Sequence, residues 1–352
     1  MVLSMPSTLS SSCSRRVALF GLGSMGRNHL RTILDNKDFT LSCVCDPNIN
    51  ELCRSINIPS HIPLISNLSE IPWDDFECAI IATPTTTHVE VAGLVLEHKK
   101  HVLLEKPIAP SEQQSKTLNK LAIEKEVLLC VGHVERSNPA VRKLQEVIDL
   151  GWIGKPIHIS ATRVGGYPMN VEPGNNVLLD LAVHDLDVLS LILGDLQICG
   201  SICHSSWQSD VYDTAQILLT NSLGVSSSIH VNWITPTKIR TLRVTGTRGV
   251  CFVDYIKQSC VVFGGNLSKV KRENQFDFKL LQMAYNNSDQ VQFGVHKEEP
   301  LKIQLHEYSL ALAGKNHRLA SATQAGKMVK LAQDAIDKST RGLRFVSQES
   351  CK

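Results

Sequence analysis

The apolar run Val17-Ala18-Leu19-Phe20 breaks into Gly21-Leu22-Gly23-Ser24-Met25-Gly26 and continues as a helical stretch from Arg27 to Leu34. A strand that turns through GxGxxG into a helix has few uses. The first glycine permits the tight turn, the second leaves no Cβ where a pyrophosphate would approach, and the third lets helix and strand pack closely. The N–H groups of the first helical turn then face the phosphates. Glycine turns also open helices that hold no ligand, so context decides. A second apolar run, Leu41-Ser42-Cys43-Val44-Cys45, ends in Asp46, twenty residues after Gly26. A carboxylate there accepts both hydroxyls of an adenine ribose and repels a 2′-phosphate, which favours NAD over NADP. Gly21, Gly23, Ser24, Met25, Gly26 and Asp46 are therefore expected to bind NAD.

From Arg16 to Gly132 short β-branched runs alternate with helical stretches, the pattern of a parallel sheet wound with crossover helices. Later strands are expected at Glu77 to Thr83, His101 to Glu105 and Val127 to Val131, with helices at His88 to Lys99 and Glu112 to Lys125. After Gly132 the pattern changes. A helix from Asn138 to Leu150, a strand from His158 to Arg163 and an apolar helix from about Val177 to Leu193 precede five strand-like runs between Gln216 and Phe263. The fold class is thus an α/β Rossmann domain plus an α+β domain with a large, mostly antiparallel open sheet. The expected divisions are a tail at 1–15, a dinucleotide-binding domain at 16–136, a substrate and oligomerisation domain at 137–340, and a tail at 341–352. Helices are expected near Leu301 to Ala313 and Ala322 to Asp337, the second packing back on the first domain. An open sheet must cover its outer face, which points to a homodimer or homotetramer.

Composition closes off several function classes. A formal charge of +2 does not suit nucleic acid or an acidic membrane as partner. No apolar run reaches the eighteen or so residues of a membrane helix, and the serine-rich start lacks the apolar core of a secretory signal. The eleven cysteines show no CxxC pair, and several sit inside apolar strand patterns, so they read as reduced core residues of a cytoplasmic protein. Cys199, Cys203 and His204 come nearest to a metal cluster, but their spacing does not suit one, and no metal is expected.

Ligands of doubly wound folds sit at the carboxyl ends of strands. One strand ends in Thr83-Pro84-Thr85-Thr86-Thr87-His88, where Thr83, Pro84, Thr85 and His88 could line a nicotinamide ribose or merely cap a helix. The next ends in Glu105-Lys106-Pro107. A lysine leaving a buried strand is costly unless a polar partner awaits it, so Glu105 and Lys106 join the candidate site. The last ends in Gly132-His133-Val134-Glu135-Arg136-Ser137-Asn138-Pro139, dense in polar groups. Farther on, Asp180 and His184 stand at i and i+4, one turn apart on a helix, where a carboxylate and an imidazole can form an oriented acid–base pair. Asp187, at i+3 from His184, could also orient it, whereas Asp185 points elsewhere.

GxGxxG followed by His29, then Glu105-Lys106-Pro107, then Asp180-x-x-x-His184, resembles the glucose-fructose oxidoreductase, inositol dehydrogenase and rhizopine-catabolism (Gfo/Idh/MocA) family of NAD(P)-dependent sugar and polyol dehydrogenases. The resemblance runs from about residue 16 to about residue 340. It implies catalytic roles for Lys106, Asp180 and His184. Asn175-Asn176 and Ala182 stand where the family often has glycine. A narrower resemblance, carried by Val131 to Val141, Arg163-Val164-Gly165 and Asn232-Trp233-Ile234-Thr235-Pro236-x-Lys238, is to UDP-N-acetylglucosamine 3-dehydrogenases. It implies oxidation of the 3-hydroxyl of a UDP-sugar, ahead of an aminotransferase that makes a 2,3-diamino sugar. A diphosphate needs cations, for which Arg136, Arg163, Lys238 and Arg240 are available. The expected substrate set is Lys106, His133, Glu135, Arg136, Asn138, Arg163, Asp180, His184 and Lys238. His184 would be the general base, oriented by Asp180, and Lys106 would hold the reacting oxygen. The alternatives are a sugar or polyol dehydrogenase of the same family with another substrate, such as inositol, and a non-catalytic regulator that senses NAD and a sugar.

Overall fold

The computed structural model describes residues 14–166, 168, 171, 174–206, 211–265 and 288–341. Most of the two expected tails lies outside the described residues, although Arg15 already belongs to the first strand. Strands β1 (Arg15–Phe20), β2 (Phe39–Cys45), β3 (Leu64–Ile65), β4 (Cys78–Ile81), β5 (His101–Glu105) and β6 (Leu129–Gly132) form a parallel sheet in the order β6-β5-β4-β1-β2-β3. They are near-continuous apolar runs because helices cover both faces. Val17 and Leu19 pack with Leu30 and Ile33 of α1 (Ser24–Leu34). Ala18 and Phe20 face the other way, onto α3 (His88–Glu97) and α4 (Glu112–Glu124), while α2 (Ile49–Leu52) follows β2. Connections leave β1 toward β2 on one side and β4 on the other, so a crevice opens beyond the carboxyl ends of β1 and β4. The nine described cysteines are free thiols, and burial pushes Cys43 and Cys78 up to about 12, which makes them neutral packing groups.

The second sheet contains β7 (Pro156–Val164), β8 (Leu196–His204), β9 (Thr214–Asn221), β10 (Ser226–Asn232), β11 (Ile239–Gly246), β12 (Gly249–Asp254), β13 (Ser259–Gly265), β14 (Ser288–Phe293) and β16 (Ser339–Arg341). Its order is β14-β13-β12-β11-β7-β10-β9-β8-β16; β7 with β10 and β8 with β16 run parallel, the other pairs antiparallel. Side chains alternate between a buried face, packed on α5 (Pro139–Asp149) and α6 (Val183–Leu193), and an outward one. Strand β8 carries Cys199, Cys203 and His204, and was not expected as a strand. Its apolar alternation is broken by a bulge between Ile198 and Gly200. Among the described residues no group of three histidine, cysteine or acidic side chains is placed to hold a metal ion.

The last third of the chain returns to the first domain. Helix α7 (Pro300–Leu312), expected with the second domain, packs on α1 instead: Leu305 and Tyr308 enter the core beside Val17 and Leu19. Lys302 pairs with Asp35 at 3.2 Å and His306 with Asp38 at 3.1 Å. Strand β15 (Ala320–Ser321) then adds antiparallel to β6. Helix α8 (Ala322–Asp337) starts from a capping box between Ser321 and Gln324 and lies against both α4 and β8.

Candidate active site

The glycine turn is shaped by two different constraints. Gly21 has φ +91°, and a Cβ there would lie 2.6 Å from the Ala82 carbonyl oxygen; a Cβ on Gly26 would lie 2.0 Å from that of Gly21. Both positions are closed by the protein's own backbone. Gly23, by contrast, would meet no atom within 4 Å, and Gly23, Ser24 and Met25 are exposed. Helix α1 has no side-chain cap and no acidic residue in its first turn, so its leading N–H groups stay available to an anion. Asp46 is buried, with Oδ2 accepting from Leu22 N at 2.7 Å and Oδ1 from Asn48 N at 2.8 Å. It pins the glycine turn, and each oxygen keeps a second lone pair. Across the crevice Thr83 Oγ1 is buried without a hydrogen-bond partner. An open cradle at Gly23, a free helix N-terminus, a carboxylate after β2 and an unpaired hydroxyl after β4 fit NAD. Pro84 and Thr85 lie on the same turn, Pro84 exposed and Thr85 half-buried.

Two residues expected to touch the cofactor have structural partners. His88 is buried, with Nδ1 2.9 Å from the Pro107 carbonyl oxygen and Nε2 3.0 Å from that of Thr83, tying the end of β4 to the end of β5. Glu105 lies beneath the turn, its Oε1 2.7 Å from His29 Nε2 and its Oε2 accepting from Lys106 N at 3.2 Å. Burial pushes the Glu105 carboxyl up, but His29 and Lys106 outweigh it and hold it below its ordinary value. Glu105 thus fixes where Lys106 leaves the strand.

Lys106 crosses the crevice and meets the second domain. Its Nζ donates to Asp180 at the backbone oxygen (2.8 Å) and at Oδ1 (3.1 Å), while Asp180 Oδ2 accepts from Trp233 Nε1 at 3.0 Å. Burial raises the Asp180 carboxyl, but Lys106, the indole N–H and Arg240 together bring it below its usual range. The local backbone explains the placement. Asn176 Oδ1 caps the N–H groups of Leu178 and Leu179, and Leu178–Ala182 form a π turn that leads into α6. The expected Asp180–His184 pair does not form. The π turn breaks the i, i+4 spacing of a continuous α-helix, and Asp180 serves Lys106 instead. His184 Nδ1 is buried without a partner. Burial, then the charges of Lys106, Arg163, His133 and Arg240, drive His184 well below its ordinary value, so the imidazole is neutral at physiological pH.

The remaining expected substrate contacts divide sharply. Arg136 donates Nε and one terminal nitrogen to Asp187 (2.8 and 2.6 Å) and the other to Gln324 (3.1 Å). Arg163 likewise gives two nitrogens to Asp185 (2.8 and 3.2 Å) and the third to Glu135 (2.8 Å), with its guanidinium 5.0 Å from the Tyr255 ring centre. Asn138 caps α5 and donates to Glu135 Oε2 at 3.0 Å. Arg136, Glu135, Asn138 and Arg163 are therefore buried framework, since every polar group that could reach substrate is already bonded. Asp185 and Asp187 are the anchors of those two arginines, so Asp187 does not orient His184. His133 is buried, its Nδ1 3.9 Å from Asp187, and burial holds it below its ordinary value. Lys238 is exposed beside Gly166. Trp233 was not among the expected site residues, and Arg240 was expected only as one of four cations available to a diphosphate. The signal for Trp233 was a buried-type aromatic with a polar edge directly after a strand.

A family model described as an oxidoreductase family with an NAD-binding Rossmann fold matches residues 15–133, and the GFO/IDH/MocA C-terminal domain model matches residues 141–251. A scyllo-inositol 2-dehydrogenase (NAD(+)) of Bacillus subtilis (strain 168) is 27% identical over 266 residues, covering 70% of this chain and 75% of that protein. A UDP-N-acetylglucosamine 3-dehydrogenase of Acidithiobacillus ferrooxidans is 23% identical over 252 residues, covering 70% and 76%. The solved structure of UDP-N-acetylglucosamine 3-dehydrogenase from Acidithiobacillus ferrooxidans superposes with a TM-score of 0.77 at 18% identity, over 93% of this chain and 98% of its own, a likeness of fold. With both family models matched in order across most of its length, and the lysine, aspartate and histidine gathered over the dinucleotide crevice, the chain belongs to the Gfo/Idh/MocA family of NAD-dependent oxidoreductases.

Proposed function

We propose that the protein oxidises a secondary hydroxyl of a sugar nucleotide, the 3-hydroxyl of UDP-N-acetylglucosamine, to a keto sugar that an aminotransferase would convert to a 2,3-diamino sugar. The observation that carries the reaction type is the meeting of Lys106 with Asp180 over the crevice, beside a neutral His184. The substrate class is supported by likeness in sequence and in fold to UDP-N-acetylglucosamine 3-dehydrogenase. Bound NAD, held by Gly23, the α1 N-terminus and Asp46, would supply the acceptor for the hydride of the carbinol carbon. The chain handles the proton and the oxygen. His184 accepts the hydroxyl proton at Nε2, because Nδ1 is the buried nitrogen. Lys106 has three N–H donors and gives two to Asp180, so the third is left for the substrate oxygen, whose developing negative charge it stabilises. Asp180 and Trp233 hold that ammonium in place.

A second reading, oxidation of a free inositol, is favoured by the likeness to scyllo-inositol 2-dehydrogenase. NADH formation with UDP-N-acetylglucosamine, and its absence with inositols, is the expected result; the reverse pattern refutes the sugar-nucleotide reading. Parallel assays with NADP test Asp46, which predicts a preference for NAD. The outward sheet face, with Ile157, Ile202, Leu218 and Phe252 exposed, supports a homo-oligomer, and the free thiols support a reducing, cytoplasmic setting.

A further inference from the structure

Four cations were available to meet a phosphate, and the structure separates them by what their nitrogens already touch. All three nitrogens of Arg136 and of Arg163 are already bonded, to the buried Asp187, Asp185 and Glu135 and to the exposed Gln324. Arg240 makes no hydrogen bond or ion pair through its guanidinium among the described residues, and its Nε is buried without a partner. Arg240 stands directly opposite Arg163 in the β11–β7 ladder, so the two side chains share the buried face of the sheet that carries the site. Burial and the like charge of Arg163 both disfavour the Arg240 cation, lowering it from its usual value. Three carboxylates lie near enough to act on its charge: Glu135, Asp185 and Asp180. Each is committed elsewhere, Asp180 to Lys106 and Trp233, Glu135 to Arg163 and Asn138, Asp185 to Arg163. Among the described residues the planar donor fork of Arg240 is therefore a guanidinium near Asp180 and His184 that no protein group holds. Lys238, two residues earlier, is exposed beside Gly166.

We propose that Arg240 anchors the phosphate of the substrate, its guanidinium binding the diphosphate of a nucleotide-linked sugar whose reacting hydroxyl reaches Lys106 and His184. The inference rests on the sugar-nucleotide reading and gives it a specificity residue. A guanidinium matches two phosphate oxygens at once, and an anion there also offsets the repulsion between Arg240 and Arg163.

The test uses the NAD-loaded protein with UDP and uridine as probes. Wild type is expected to bind UDP more tightly than uridine, by a margin that shrinks as salt rises. R240Q is expected to weaken UDP about tenfold to a hundredfold, to leave uridine unchanged, and to raise KM for UDP-N-acetylglucosamine far more than it lowers kcat. R240K, which keeps the charge but loses the fork, should fall between them and guards against a folding defect. Wild-type UDP affinity in R240Q, with UDP-sugar turnover intact, overturns the role of Arg240 and leaves the function standing. A wild-type protein that oxidises inositols and does not distinguish UDP from uridine overturns both.

Discussion

Two alanine substitutions three residues apart, at Gly23 and Gly26, should fail in opposite ways. Gly23 has φ −63° and ψ −166°, a conformation open to any residue, and its added methyl would touch nothing within 4 Å. Losing glycine at the helix N-cap costs some tenths of a kcal/mol, and the reduced freedom of the unfolded chain returns about 0.4–1 kcal/mol, so stability should stay within about 0.5 kcal/mol of wild type. The same methyl fills the cradle where a pyrophosphate would lie. Crowding of this kind costs about 1–3 kcal/mol, which weakens NAD binding about 5- to 150-fold. At Gly26 the methyl would lie 2.0 Å from the Gly21 carbonyl oxygen, backbone against backbone, so α1 must move away from β1. The gain in helix propensity, about 1 kcal/mol, does not offset that displacement. Urea unfolding without cofactor should therefore show G26A destabilised and G23A nearly unchanged, while titration with NAD should show both impaired. Wild-type NAD affinity in G23A would refute the assignment of that open space to the cofactor.

Trp233→Phe removes the indole N–H from Asp180 while keeping a smaller aromatic ring in its place; kcat is expected to fall about tenfold as Lys106 loses its alignment, with NAD affinity unchanged, and an unaltered kcat would remove Trp233 from the site. Stability should also respond to acid. Because burial holds His184 well below its ordinary value, the unfolded chain takes up the proton first, so stability is complete above about pH 6.5 and declines as pH falls toward the folded histidine's own value. His184→Asn should flatten that slope by up to about 1.4 kcal/mol per pH unit in urea melts below pH 6.5 or so, and an unchanged slope would contradict a neutral buried imidazole.

The glycine turn, the parallel sheet and the lysine at the end of β5 were legible because each rests on local chemistry: a turn that needs glycine, strands that are apolar on both faces, a charge leaving a core. Strand β8 was not, since its alternation is broken at Gly200 and its outward positions mix polar and small residues with the apolar Ile202. Helix α7 is apolar on the side that meets α1, yet nothing in its own sequence says which of two sheets it covers. The partner of Asp180 was misjudged for a similar reason. Spacing along a regular helix put it beside His184, whereas a cap by Asn176 and a π turn, neither marked by residue type alone, turn it to Lys106. Arginines posed the hardest case. Arg136, Arg163 and Arg240 look alike in a sequence, and only the positions of Asp185, Asp187 and Glu135 reveal which are already neutralised.

Helix α8 contributes Ala322, Ala325 and Val329 to the core of the nucleotide-binding half, and Met328, Leu331, Ala332 and Ala335 to the core of the other half. One rod thus has a foot in each hydrophobic interior, and it follows both sheets' principal strands in the chain. Neither half can close its interior before that rod has been made, and afterwards neither can melt without tearing the same rod out of its neighbour. The jaws carrying Lys106 and His184 are in that sense clamped twice, by this shared rod and by the Lys106–Asp180 contact inside the cleft.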